Sequence, residues 1–148
     1  MRKLFFAFSA FCVISACDEE PTNDSLLLEE TIDLSGNWNI SNVYQNGVEI
    51  TDSFDFSTFN LRLNYQNEAP SSFSITSEVE TPFVSPVNAG NWTFDNVVYP
   101  SKIFFADGAT TYIGDFAEPL SPSVNDSFSI LFSLGCAENE YVYHLSKN

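Results

Sequence analysis

The sequence has 148 residues and sets 5 Lys and Arg against 20 Asp and Glu, a formal net charge of −15. Beyond Arg2 and Lys3 its cations, Arg62, Lys102 and Lys147, are isolated from one another, so the clustered Lys and Arg that nucleic acid or an anionic lipid surface would need are missing, and neither is expected as an electrostatic partner. It is not a disordered acidic chain either: 44% of its residues are hydrophobic and 16% aromatic, with 15 Phe, enough apolar surface to offset the entropy of ordering one core.

The chain opens as an export leader. Arg2 and Lys3 make a short basic segment, and Leu4 to Ala16 an apolar one that is too short to cross a bilayer as a helix. The leader ends Ile14-Ser15-Ala16-Cys17, which resembles the bacterial lipobox: an aliphatic residue, two small residues, then cysteine. That resemblance implies cleavage before Cys17 and acylation of its thiol and new amino group. Residues 1–16 are then a lipoprotein signal peptide, and the membrane is reached through an N-terminal lipid anchor. The alternative is an ordinary secretory signal followed by a chance cysteine. Asp18-Glu19-Glu20 is similar to the surface-export signal of Bacteroidetes lipoproteins and implies an outer-membrane protein on the cell surface. Read as a plain acidic linker, the same residues leave the protein on the periplasmic face. Asp24-Ser25-Leu26 resembles the short O-glycosylation sequon of those bacteria. Residues 17–33 are therefore assigned to the lipidated cysteine and an acidic tether, and 34–148 to one domain of about 115 residues. Cys12 departs with the leader and Cys17 carries lipid, so Cys136 has no partner for an intrachain disulfide and is expected to be a partly buried, inert thiol.

From Leu34 onward the apolar period is two. Trp38, Ile40 and Tyr44 alternate with polar residues, and Asn46-Gly47 predicts a type I′ hairpin into Val48 and Ile50. Phe54 and Phe56 open a run that Phe59, Leu61, Leu63 and Tyr65 continue with shifted parity, which predicts a bulge near Ser57-Thr58. Phe73 and Ile75 mark a strand after a turn at Pro70, and a longer loop carries Pro82 and Pro86. Trp92 with Phe94 and Ile103 with Phe105 mark two more strands, and Asp107-Gly108 turns the chain toward Tyr112. Phe128, Ile130, Phe132 and Leu134 alternate strictly, and Tyr141, Tyr143 and Leu145 answer them across a turn. Eight or nine strands and no convincing helix predict an all-β, antiparallel up-and-down barrel, because closure removes exposed edges. A two-sheet β-sandwich is the alternative.

Gly36-Asn37-Trp38 and Gly90-Asn91-Trp92 repeat one tripeptide, each opening a strand. Glycine permits close backbone approach or a positive φ there, and the tryptophan fills apolar space beside it. With Gly36 and Trp38 at the first strand and Gly90 and Trp92 near mid-chain, the sequence resembles the lipocalin-like domains of Bacteroidetes lipoproteins. The resemblance implies a barrel with Trp38 near its closed end. Larger lipocalins lay a last-strand arginine over that tryptophan; here the last strand offers Lys147.

Catalysis is not expected. His144 is the one histidine, and strand parity points it away from the core; no phosphate loop, serine elbow or clustered His and Cys appears. The carboxylate pairs Asp52–Asp55, Glu78–Glu80 and Glu138–Glu140 suit a solvated surface in so acidic a chain, and no metal or other cofactor is expected. Binding is the expectation, in two versions. A hollow barrel would hold a small apolar molecule against Phe56, Phe59, Leu61, Phe105, Phe128, Ile130 and Phe132, although the same residues are what a packed barrel needs. Alternatively Tyr44, Tyr99 and Tyr112 would recognise a glycan or another envelope protein from outside.

Overall fold

The computed structural model describes residues 30–122 and 126–148. Cys17, Asp18-Glu19-Glu20 and Asp24-Ser25-Leu26 lie outside the described residues. The fold is an all-β antiparallel barrel of eight strands, closed by pairing of the first with the last, plus one short extra strand. Its elements are β1 (Gly36–Gln45), β2 (Val48–Glu49), a 3-10 turn (Thr51–Ser53), β3 (Asn60–Gln66), β4 (Ala69–Thr76), β5 (Ala89–Phe94), β6 (Lys102–Ala106), β7 (Thr111–Phe116), β8 (Ser127–Ser133) and β9 (Glu140–Lys147). Neighbours in sequence pair with one another, except that β2 hangs from the end of β1 and β3 pairs past it.

Closure runs through Trp38, which faces Leu61 of β3 on one side and Lys147 of β9 on the other. Between Ile40 and Asn42 the β1–β9 register shifts, so Ser41 is the extra residue of a bulge. The bulge inverts the parity read from the sequence: Val43, not Tyr44, continues the buried face begun by Trp38. Asn46 and Gly47, with φ of 51° and 77°, make the expected two-residue turn. Val48, however, faces out at 64% exposure.

The anticipated bulge at Ser57-Thr58 is instead a turn. The Asp55 carboxylate accepts from the Ser57 amide at 3.1 Å and from its hydroxyl at 2.5 Å, and the Phe59 amide donates to the Phe56 carbonyl at 3.0 Å. An Asx-type closure of this kind competes with the extended ladder, so β3 begins only at Asn60. Pro70 is likewise no turn residue. Asn67 and Glu68 carry the positive φ values of 53° and 61°, while Pro70 lies inside β4 opposite Tyr65, beside a register irregularity.

Two aromatic layers fill the interior. At the closed end Trp38 meets Phe128 edge-on at 4.6 Å, and Tyr65, Trp92, Phe94 and Phe116 continue the contacts around the wall. Nearer the other end Phe73 meets Phe105 at 4.9 Å, and Phe132 meets Tyr143 at 5.0 Å. The core also reaches back into the segment assigned to the tether. Ile32 is buried, and its amide donates to the Val97 carbonyl at 2.8 Å while its carbonyl accepts from the Tyr65 hydroxyl at 2.8 Å. Trp38 Nε1 donates to the Leu34 carbonyl at 2.8 Å, so Ile32 and Leu34 together cap the closed end.

Candidate functional site

The opposite end is the mouth of the barrel. Antiparallel order brings there the segment from Phe54 to Phe59, the β4–β5 connection of residues 77–88, and the β6–β7 and β8–β9 hairpin turns. The β4–β5 connection turns inward. Phe83 and Val84 are buried, and the Phe83 ring lies 5.3 Å from Phe59, 5.7 Å from Phe105, 5.8 Å from Phe132 and 6.0 Å from Tyr143. The Tyr143 hydroxyl donates to the Pro82 carbonyl and latches the loop. Burial drives the Tyr143 phenol well above its ordinary pKa, so this donor stays protonated. Phe83 thus stands where a ligand of a hollow barrel would stand.

Above that plug lies an open cleft of about 720 Å³. Its apolar floor comes from Phe59, Ile75, Phe83 and Leu134, and Glu78 and Glu80 stand on its walls. The volume falls within the range of pockets that take small organic molecules.

The seven residues expected to line a hollow interior are all buried, and they form part of one hydrophobic core. Only Phe59 lines the mouth cleft, and Phe128 lines a second pocket of about 270 Å³ on the outer wall. The three tyrosines expected on the surface are not brought together. Tyr99 is 70% exposed and borders a third cleft of about 280 Å³ with Phe116 and Leu120. Tyr112 packs against the core, and Tyr44 sets its ring edge-on to His144 at 5.4 Å. Trp38 and Trp92 are buried, and Gly36 and Gly90 lie against neighbouring strands. A Cβ on Gly90 would come 2.1 Å from the Ala106 carbonyl oxygen, so only glycine lets β5 lie this close to β6 there.

Two features were not drawn from the sequence. The first is Phe83, whose signal was a bulky apolar pair, Phe83-Val84, inside a proline-bounded loop. The second is the outer-wall pocket, where β8–β9 register sets Ser129 opposite His144 and the hydroxyl lies 2.6 Å from Nδ1. Alternation from Leu145 placed His144 outward, but nothing local predicted its partner. This contact is within nucleophile–base reach, yet among the described residues no carboxylate hydrogen-bonds the imidazole. Cys136 is exposed in the β8–β9 turn, not partly buried as expected.

Among the described residues no cluster of three or more His, Cys, Asp or Glu is arranged for a metal, no buried side-chain nitrogen or oxygen lacks a hydrogen-bond partner, and no helix is long and apolar enough to cross a membrane. No family model matches the chain, and neither a curated protein nor a solved structure matches it significantly.

Proposed function

We propose that the protein is a lipid-anchored, lipocalin-like binding module that holds a small apolar molecule at the mouth of its barrel and acts by binding, not catalysis. The observation that carries this reading is the cleft of about 720 Å³ with its floor of Phe59, Ile75, Phe83 and Leu134. The walls carry polar groups, among them Ser77, Glu78, Glu80, Thr81 and Asn88, but the floor is apolar, and a small hydrophobic group seated on it gains from leaving water.

The anchor fits this geometry. In this reading Cys17 carries the acyl chains at the outer membrane, Asp18-Glu19-Glu20 directs the protein to the cell surface, and the partners are the membrane and an apolar ligand, with no cofactor. The stretch from Cys17 to Ile32 spans at most about 50 Å when extended. Ile32 is fixed at the closed end, so the tether leaves from the face opposite the mouth. A domain hung that way can turn its mouth from the membrane toward arriving ligand.

The test is a titration with a polarity-sensitive apolar fluorophore. The described core lies between Ile32 and Leu145, so a chain beginning at Asp18 retains all of it and carries no acyl group. Saturable one-to-one enhancement, weakened at least about tenfold when Leu134→Trp fills the floor, is expected. A folded domain giving no saturable enhancement would end this reading.

A further inference from the structure

Residues 118–121, after β7, and the outer wall of β8, β9 and β1 line the pocket of about 270 Å³, whose walls include Ser41, Glu118, Leu120, Ser127, Ser129 and His144. We propose that this pocket binds one neutral sugar ring, at a site separate from the mouth cleft and independent of what the mouth takes. Its volume lies just below the range that suits drug-sized ligands and leaves room for a single ring.

The polar groups are built into the wall. Ser129 is only 9% exposed, and its hydroxyl sits 2.6 Å from His144 Nδ1. The Ser41 hydroxyl donates to the His144 carbonyl at 3.2 Å from the other side, and Tyr44 packs edge-on against the ring at 5.4 Å. The Ser129 and Tyr44 contacts orient the imidazole, and the Ser41 bond holds the backbone that carries it. Ser129 and Nδ1 share one hydrogen bond in either imidazole tautomer, which leaves Nε2 as a donor in one and an acceptor in the other, and no described residue hydrogen-bonds it. The Glu118 carboxylate and the Ser127 hydroxyl also make no hydrogen bond to a described side chain. The pocket therefore offers an imidazole nitrogen that donates or accepts with the tautomer, a carboxylate acceptor and a hydroxyl that does both.

That set selects the ligand. An anion would meet Glu118 in a chain of net charge −15, with no Lys or Arg in the pocket wall. An ammonium would use Glu118 but, having donors alone, could pair with only one of the two imidazole tautomers. Vicinal hydroxyls of a neutral sugar donate to the carboxylate and, being both donors and acceptors, pair with the imidazole in either tautomer. Leu120 and Pro119 supply an apolar surface for the C–H face of the ring. A free monosaccharide and the terminal ring of a longer chain share this chemistry.

The test is saturation-transfer NMR on the full-length chain with glucose, galactose, mannose and N-acetylglucosamine. At least one is expected to give a saturable signal with a Kd of about 1 mM or tighter. Glu118→Ala should weaken it by about tenfold or more, since a hydrogen bond to a charged group is lost. Ser129→Ala should do the same by releasing the imidazole, and Glu118→Ala keeps the test decisive where the buried serine variant fails to fold. Comparing the binding sugar with its trisaccharide separates the two sources: a site for chain ends takes both, and a site for free sugar rejects the longer one. Absence of a saturable signal from all four sugars at about 20 mM, or binding indifferent to Glu118→Ala in a folded protein, would overturn the proposal.

Discussion

Lys147 Nζ lies 5.4 Å from the centroid of the Trp38 ring, which is fully buried, at the closed end of the barrel. Gly36 makes that approach possible: a Cβ there would come 2.7 Å from Lys147 Cε, and its φ of +134° is one that other residues rarely adopt. The first and last strands are thus joined by three residues, a glycine that clears space, a cation that crosses it and a tryptophan that receives it. A lysine does here what the resemblance assigned to an arginine. Lys147→Ala should lower stability by about 0.5–1 kcal/mol, the scale of an exposed cation–π contact, and Lys147→Arg should retain it. Gly36→Ala should cost more than either, because it adds backbone strain to the loss of the cation. Urea unfolding curves of the three variants check the order.

Phe83 occupies the interior at the mouth, within 6.0 Å of four aromatic rings. Phe83→Ala should destabilise the fold by about 3 kcal/mol, the low end for such truncations, since a loop relaxes more readily than a strand. The same change should deepen the cleft into the barrel and raise the affinity of an apolar fluorophore. Calorimetric unfolding and the fluorophore titration read the two effects separately. A variant that loses stability without gaining affinity would mean that the loop collapses into the vacated space.

The barrel was legible in the sequence because its strands report themselves locally. Phe128, Ile130 and Phe132 alternate inward as written, and the turn at Asn46-Gly47 falls where its φ requirements place it. What the sequence concealed depends on a single hydrogen bond or a single extra residue. The bulge at Ser41 breaks the alternation of β1, so Val43 and not Tyr44 continues the buried face begun by Trp38. The Asp55 turn overrides a run of apolar residues that reads as strand. The candidate sites were less legible still. Whether an aromatic set encloses a hollow or a packed core depends on a loop residue, Phe83, whose destination no periodicity records. Ser129 and His144 are 15 positions apart and meet only through the register of β8 on β9.

Stability should fall at both ends of the pH scale, for different reasons. Burial acts to raise the Asp95 carboxyl, but donors from the Ser101 hydroxyl and the amides of Lys102, Ser101 and Asn96 outweigh it and hold the pKa at about 2. A carboxyl lowered from its ordinary 3.8 stabilises the fold above that value, and the contribution is lost as pH falls through about 2. Burial raises the Tyr65 phenol from 10.0 to about 12, so the folded chain keeps a proton that the unfolded chain releases. Stability is then lost as pH rises across that window. Urea midpoints measured from pH 2 to 12 should show both declines. Asp95→Asn should flatten the acid arm, and Tyr65→Phe should reduce the alkaline arm without abolishing it, because Tyr143 is raised as well.

Cys136 links the fold to the processing proposed for the N-terminus. It is exposed in the β8–β9 turn, where the Cys136 amide donates to the Leu134 carbonyl and the Cys136 carbonyl accepts from Asn139, so backbone bonds hold the turn while the thiol faces solvent. A chain cut before Cys17 and acylated there has lost Cys12 and masked Cys17. Protein purified from membranes should therefore react with a thiol reagent to the extent of one equivalent, without denaturant, and Cys136→Ser should react not at all. Cleavage as an ordinary secreted protein that keeps a free Cys17 would give two equivalents, and an unprocessed chain would give three once unfolded. The ratio of native to denatured titration adds a second reading. Equal values mean that Cys136 is the thiol being counted, whereas a rise on unfolding would place a further cysteine inside the protein.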